Sequence, residues 1–214
     1  MNVLELHAGS RCIGNEAEKL GFNVFSVDWQ PFDKINLVID IEKLSVKDIP
    51  FIPDIIWTSP DCTTYSIAAI SSHRNGLIPI SDYAKKCDKV NFNQIKLINY
   101  FLSINSNLKF FIENPRGMMR KMPFVYGIDR ATVWYCQYGD NRAKPTDIFT
   151  NHLFSIFNEK GWIPKYECFN GNTKCHHEAA PRGSKTGTQG KKGSYERSKI
   201  PTKLANDILK SCMI

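Results

Sequence analysis

Residues 54–66, DIIWTSPDCTTYS, decide how this sequence is read. An apolar run, Ile55-Ile56-Trp57, stops at Thr58, and Pro60 opens a turn of small polar residues around Cys62. A thiol past a strand is ordinarily packing material, because free cysteine is among the most buried residue types. Here its neighbours are Ser59, Thr63, Thr64 and Ser66, which belong to a polar turn and not to a core. Ligands of open α/β sheets gather outside the carboxyl ends of the strands. Cys62 is therefore a candidate nucleophile if the flanking sequence builds such a sheet.

Upstream, NVLEL (2–6) is β-prone and leads into HAGSRCIG, and IGNEAEKLG has helical composition up to Gly21. NVFSVDW (23–29) and INLVIDI (35–41) read as the second and third strands, each closing on an acid, and PDIIWT (53–58) as the fourth. Residues 88–106 read as a helix with Phe92, Ile95, Leu97, Ile98, Phe101 and Leu102 largely along one side. LKFFIEN (108–114) is a fifth strand ending in a carboxylate, and ATVWYCQYG (131–139) a sixth. Strands alternating with helices imply an α/β chain with a mostly parallel sheet and helices on both faces. After about residue 160 Gly, Lys, Ser and Thr dominate without an apolar period. The expected division is a catalytic domain over 1–150 and a short basic region with a closing helix over 151–214.

The 214 residues suffice for one such domain, and 42% hydrophobic with 23% charged residues is ordinary for a soluble globular protein. No apolar run approaches the roughly 20 residues of a membrane span. The start, MNVLELHAGS, lacks a basic segment followed by a long apolar core, so no secretory signal is expected. Seven scattered cysteines then read as reduced thiols in the cytoplasm. Residues 160–203 hold ten Lys/Arg against three Glu, which equals the whole formal charge of +7. Such a cationic segment expects a polyanionic partner, or else is a solvated basic tail.

The strand ends carry a set that one nucleoside cofactor needs. Gly9 and Gly14 allow a tight first turn with close backbone approach, Asp28 can accept both ribose hydroxyls, and Asp40-Ile41 suits an adenine edge. Strand four adds Cys62 and strand five Glu113. Together LELHAGSRCIG, SPDCTTYS, FIENPRG and YGDNRAK resemble, in order, four motifs of the DNA cytosine-5 methyltransferases. They are similar to the cofactor motif, the Pro-Pro-Cys nucleophile loop, the Glu-Asn-Val motif and the Gln-x-Arg-x-Arg motif, across about residues 2–144. The wording of ENPRGMMRKMP, KPTDIFTN and APRGSKTGTQG looks most like small phage-type members.

The resemblance implies a Rossmann-like class I methyltransferase fold and S-adenosyl-L-methionine as cofactor, held by Leu6, His7, Gly9, Ser10, Asp28, Trp29, Asp40, Ile41 and Pro60. It implies Cys62 attacking carbon 6 of a flipped cytosine, Glu113 at ring nitrogen 3, Arg142 at the 2-carbonyl oxygen and Asn114 at the pocket floor. Double-stranded DNA would be the partner, bound by a monomer in the cytoplasm of a bacterial or phage-infected cell. Asp61 stands where the family has proline, and its carboxylate disfavours a thiolate beside it unless it points away or meets a cation. Two other readings stay open: a DNA-binding decoy or regulator that has lost turnover, and an enzyme modifying free pyrimidine nucleotides. Cys168, Cys175, His176 and His177 in CFNGNTKCHH offer zinc-type ligands, but the gap of six between the cysteines is wider than usual, and no metal is assigned.

Overall fold

The computed structural model describes residues 1–178 and 193–213. In chain order the elements are β1 (Asn2–Leu6), α1 (Cys12–Lys19), β2 (Asn23–Asp28), β3 (Leu37–Val38), β4 (Ile55–Thr58), α2 (Ile70–His73), β5 (Arg74–Asn75), β6 (Ile78–Pro79), α3 (Asp82–Ile104), β7 (Lys109–Pro115), β8 (Arg130–Trp134), β9 (Pro145–Thr150), α4 (Ser194–Ser198) and α5 (Thr202–Ser211). Seven strands form one sheet in the order β3-β2-β1-β4-β7-β9-β8, and β5 and β6 form a small separate hairpin. The pairs β1·β2, β1·β4, β2·β3 and β4·β7 are parallel, while β9 runs antiparallel to both β7 and β8. This is the expected mostly parallel sheet.

Period-two alternation divides the core. Leu4, Leu6, Ile56 and Ile112 face α3 and pack with its Leu97, Ile98 and Phe101. Val3, Ile55, Trp57 and Phe111 face the other way, against Ile13 and Ala17 of α1 and Leu204, Ala205, Ile208 and Leu209 of α5. The closing helix thus completes the second face of the sheet. Among the described residues no helix is long and apolar enough to cross a membrane.

Several elements depart from the sequence expectation. The third strand shrinks to Leu37–Val38, so Asp40 lies in the turn beyond it. Helix α3 begins at Asp82 and not near 88, because Ser81 caps it by accepting the Ala84 N–H at 3.1 Å. The sixth strand stops at Trp134 and passes into a 3-10 turn, Tyr135–Tyr138. The seventh, β9, was hidden by its polar residues. Its buried Asp147 accepts from Arg120 Nε at 3.0 Å and Thr132 Oγ1 at 2.8 Å, so burial there is satisfied by partners distant in sequence.

From β1 the chain builds outward to β3, then returns to β4 on the other side of β1. This reversal opens a crevice between the carboxyl ends of β1 and β4, where doubly wound sheets bind ligands. The loops starting at His7 and Ser59 flank it.

Candidate active site

The first loop is drawn onto the second strand. Asp28 accepts the Gly9 N–H through Oδ2 and the Gln30 N–H through Oδ1, each at 2.9 Å. Gly9 has φ +49°, a left-handed conformation that glycine adopts without strain. Gly14 sits where an added Cβ would meet Glu5 Oε2 at 2.5 Å, and the buried Glu5 carboxylate accepts the Gly14 N–H at 3.0 Å. The expected close approach is thus between this turn and a carboxylate of β1. Burial raises the Glu5 carboxyl pKa, against the Ser26, Gly14 and Arg11 groups that favour its charge.

His7, Trp29, Asp40, Ile41 and Pro60 line one pocket beside this loop. Trp29 is 63% exposed, an aromatic face left open at the rim. His7 adopts φ 54°, its Nε2 is buried without a hydrogen-bond partner among the described residues, and burial lowers its pKa. Partial burial works against the Asp40 carboxylate, yet the Lys86 ammonium at 2.7 Å and the Glu42 N–H hold its pKa below the ordinary value. Leu6, Gly9, Ser10 and Asp28 are not in the pocket wall. Leu6 turns its side chain into the core and Asp28 spends its oxygens on backbone N–H groups, so both shape the loop from behind. The far wall comes from α3, through Tyr83, Lys86, Val90 and Asn91, and a helix start near 88 leaves the first two of these outside it. Ser81-Asp82, a cap followed by a first-turn acid, is the signal that marks the true start.

Cys62 lies at the carboxyl end of β4, half-buried, before a 3-10 turn over Thr63–Tyr65. A buried polar chain clamps this loop to α3. Thr58 Oγ1 donates to Gln94 Oε1 at 2.6 Å, Gln94 Nε2 to Asn91 Oδ1 at 2.7 Å, and Asn91 Nδ2 to the Tyr65 hydroxyl at 2.9 Å. Tyr65 in turn donates to Asp88 at 2.7 Å, and Arg74 bridges Asp88 and the Thr64 carbonyl. Such satisfied networks rigidify what they hold. Asn91 and Gln94, polar residues on the buried side of an amphipathic helix, were the visible trace of it. From β7, Asn114 Nδ2 donates to the Pro60 carbonyl at 3.1 Å, so the expected pocket-floor residue ties the Cys62 loop to the neighbouring strand.

Glu113 is buried at the end of β7, where it accepts the Tyr135 hydroxyl proton at 2.9 Å. Lys144 Nζ lies 4.0 Å from its Oε1 and 4.5 Å from the Tyr135 ring centre. Burial first, then the Asp61 and Glu113 carboxylates, push the Cys62 thiol up to about 11, and the Lys144 ammonium pulls it down. Among the described residues Asp61 meets no cation. Its oxygens accept the Thr63 N–H at 2.6 Å and the Tyr83 hydroxyl at 2.8 Å.

The sequence expectation gives Arg142 the 2-carbonyl oxygen of the base. Arg142 is 0% exposed and its guanidinium is bound to Asp140 and to the carbonyls of Arg197 at 3.0 Å and Lys199 at 3.3 Å. It anchors the segment before α5, and the cation facing Glu113 and Cys62 is Lys144. The signal lay in the quoted motif, since Arg142-Ala143-Lys144 repeats the spacing of its two arginines and Lys144 holds the second place. Of the basic segment, Arg182, Lys185, Lys191 and Lys192 lie outside the described residues.

No protein-family profile and no curated protein sequence matches the chain. Solved structures do. The methyltransferase EhMeth of Entamoeba histolytica superposes with a TM-score of 0.54 at 17% identity, over 78% of this chain and 57% of that one. Dnmt2 of S. pombe gives 0.47 at 16% identity, over 78% and 57%, and a mutated DNMT2 of Spodoptera frugiperda 0.49 at 16%, over 84% and 57%. The chain spans somewhat more than half the length of these proteins, 57% in each case. The sheet order, the crevice and the superposition agree: this chain has a Rossmann-like fold similar to that of EhMeth.

Proposed function

We propose that the protein transfers a methyl group from S-adenosylmethionine to carbon 5 of cytosine in DNA, with Cys62 as nucleophile. The observation that carries this reading is the placement of Cys62 between two differently equipped sides. Pro60 of its own loop lines the pocket with His7, Trp29, Asp40 and Ile41, while Glu113 and Lys144 bear electrostatically on the thiol.

The pocket fits the cofactor on its own terms. An exposed indole face and the Ile41 side chain suit the adenine, and the unpartnered His7 Nε2 offers a buried polar contact. When bound there, the cofactor supplies an electrophilic methyl group. The Cys62 thiolate forms a bond to carbon 6 of an extruded base, since that atom is out of reach within a duplex. Glu113, hydrogen-bonded by Tyr135, holds a proton at ring nitrogen 3 as charge builds, which makes carbon 5 nucleophilic. Loss of the carbon-5 proton then expels the thiolate. Lys144 takes the role at the 2-carbonyl oxygen that the motif had assigned to Arg142. The basic residues of 160–203 hold the DNA backbone.

A turnover-deficient DNA-binding relative is favoured by one observation, the thiol pushed up to about 11. DNA carrying 5-fluorocytosine separates the two readings, because fluorine cannot leave as a proton does. Methyl transfer should stall at an adduct that requires cofactor, survives denaturing electrophoresis and is lost in Cys62→Ser. Wild-type protein that binds this DNA and cofactor without forming the adduct would overturn the enzyme reading.

A further inference from the structure

The segment after β9 raises a physical question. Residues 163–178 contain no helix or strand, and Tyr166 and Phe169 stand 94% and 61% exposed. Only Cys168 and His177 of these sixteen positions are buried. Two side chains of that size cannot offset the ordering cost of so long a segment, at about 1–2 kcal/mol per residue. Both converge on one point, with Cys175 beside them, and a third sulfur reaches it from Cys136 in the turn after β8. The ligand atoms of Cys136, Cys168, Cys175 and His177 all lie within 4.8 Å of one another.

We infer that these four residues form a structural zinc site that fastens residues 163–178 to the 3-10 turn that begins at Tyr135. Three thiolates and one imidazole are an established tetrahedral zinc set. With Zn–S about 2.3 Å and Zn–N about 2.05 Å, tetrahedral geometry separates a sulfur and a nitrogen by about 3.6 Å. Cys168 Sγ and His177 Nδ1 are 3.7 Å apart. The surroundings suit thiolates: Gln137 Nε2 points at the sulfurs of Cys136 and Cys175, each at 3.9 Å, and Asn172 Nδ2 donates to Cys168 at 3.4 Å. Amide donors of this kind orient metal-bound sulfurs and spread their charge. All seven cysteines are free, so no disulfide competes for these thiols. Zinc uptake releases the three thiol protons and changes no oxidation state.

Sequence reading grouped His176 with Cys168, Cys175 and His177 and assigned no metal. His176 is exposed and its Nε2 faces the Asp140 carbonyl at 3.1 Å, whereas Cys136 lies 32 positions before Cys168 and joins the cluster through the sheet. The site is separate from the methyl-transfer machinery yet mechanically linked to it. Cys136 directly follows Tyr135, whose hydroxyl holds Glu113, and the Tyr135 N–H donates to the Ala143 carbonyl between Arg142 and Lys144.

Protein purified under reducing conditions from zinc-supplemented cells should retain one equivalent of zinc per chain by elemental analysis after dialysis. Cobalt(II) in place of zinc should give the intense visible bands and thiolate charge transfer of tetrahedral sulfur ligation. Cys168→Ser and His177→Ala should lose most of the metal, while His176→Ala keeps it. Where a variant does not fold, peptide mapping of the wild type decides: Cys136, Cys168 and Cys175 should resist alkylation until a strong chelator is added. Soluble metal-free protein that takes up no cobalt, a weak octahedral cobalt spectrum, or alkylation indifferent to chelator would overturn the assignment.

Discussion

The acidity of Cys62 is the quantity on which its chemistry turns, and Asp61→Asn tests the charges around it. With the thiol at about 11, about 0.1% is thiolate at pH 8. Asp61 is exposed, so its effect is screened. A unit charge at about 6 Å, with an effective dielectric constant of about 50, disfavours the thiolate by about 1 kcal/mol. Removing it lowers the pKa by about 0.8, which raises the thiolate population about sixfold at pH 8. A less basic thiolate is also less nucleophilic, and a Brønsted slope of about 0.45 takes back a factor of about 2. The net expectation is about threefold faster alkylation of Cys62 by a haloacetamide, followed by mass spectrometry of its peptide. The sign is set by the raised pKa: below it, thiolate grows about tenfold per pH unit, so the wild-type rate should climb from pH 8 through pH 10 without a plateau. Lys144→Gln should slow the reaction, because its ammonium acts in the opposite direction. A wild-type plateau near pH 9, or an Asp61→Asn rate no greater than wild type, would refute the electrostatic account.

Replacing Arg142 by Gln removes one side of a buried ion pair and two contacts to the 195–199 segment, at a cost of about 3–5 kcal/mol. Calorimetry should then show a melting temperature lower by about 10 °C, and a variant of wild-type stability would return Arg142 to a role in chemistry. Trp29→Ala should weaken binding of S-adenosylhomocysteine about tenfold by titration calorimetry, as the loss of one stacking partner implies. Gly14→Ala places a methyl group 2.5 Å from Glu5 Oε2, and denaturant unfolding should register about 1–3 kcal/mol of destabilisation. Asn114→Ala frees the Pro60 carbonyl, and its effect should appear in the rate of adduct formation on 5-fluorocytosine DNA more than in stability.

What the sequence determined by itself was information carried over a few residues. Apolar runs closing on Asp28, Cys62 and Glu113 marked strand ends, and alternation with helical segments marked a parallel sheet, because both depend on the local period. The order of the motifs then placed the glycine-bearing first loop and the thiol on one edge. Tertiary structure decided which side chains meet. Strand β9 inserts between β7 and β8, so its polar residues are buried against Arg120 and Thr132 and no alternation betrays it. Arg142 bonds to Asp140 and to carbonyls more than fifty residues away, which leaves the space before Glu113 to Lys144. Cys136 joins Cys168, Cys175 and His177 only because the turn after β8 and the segment after β9 are brought together at the edge of the sheet. A residue's type limits the chemistry it can perform, but its charge state and partners come from neighbours that chain distance does not reveal.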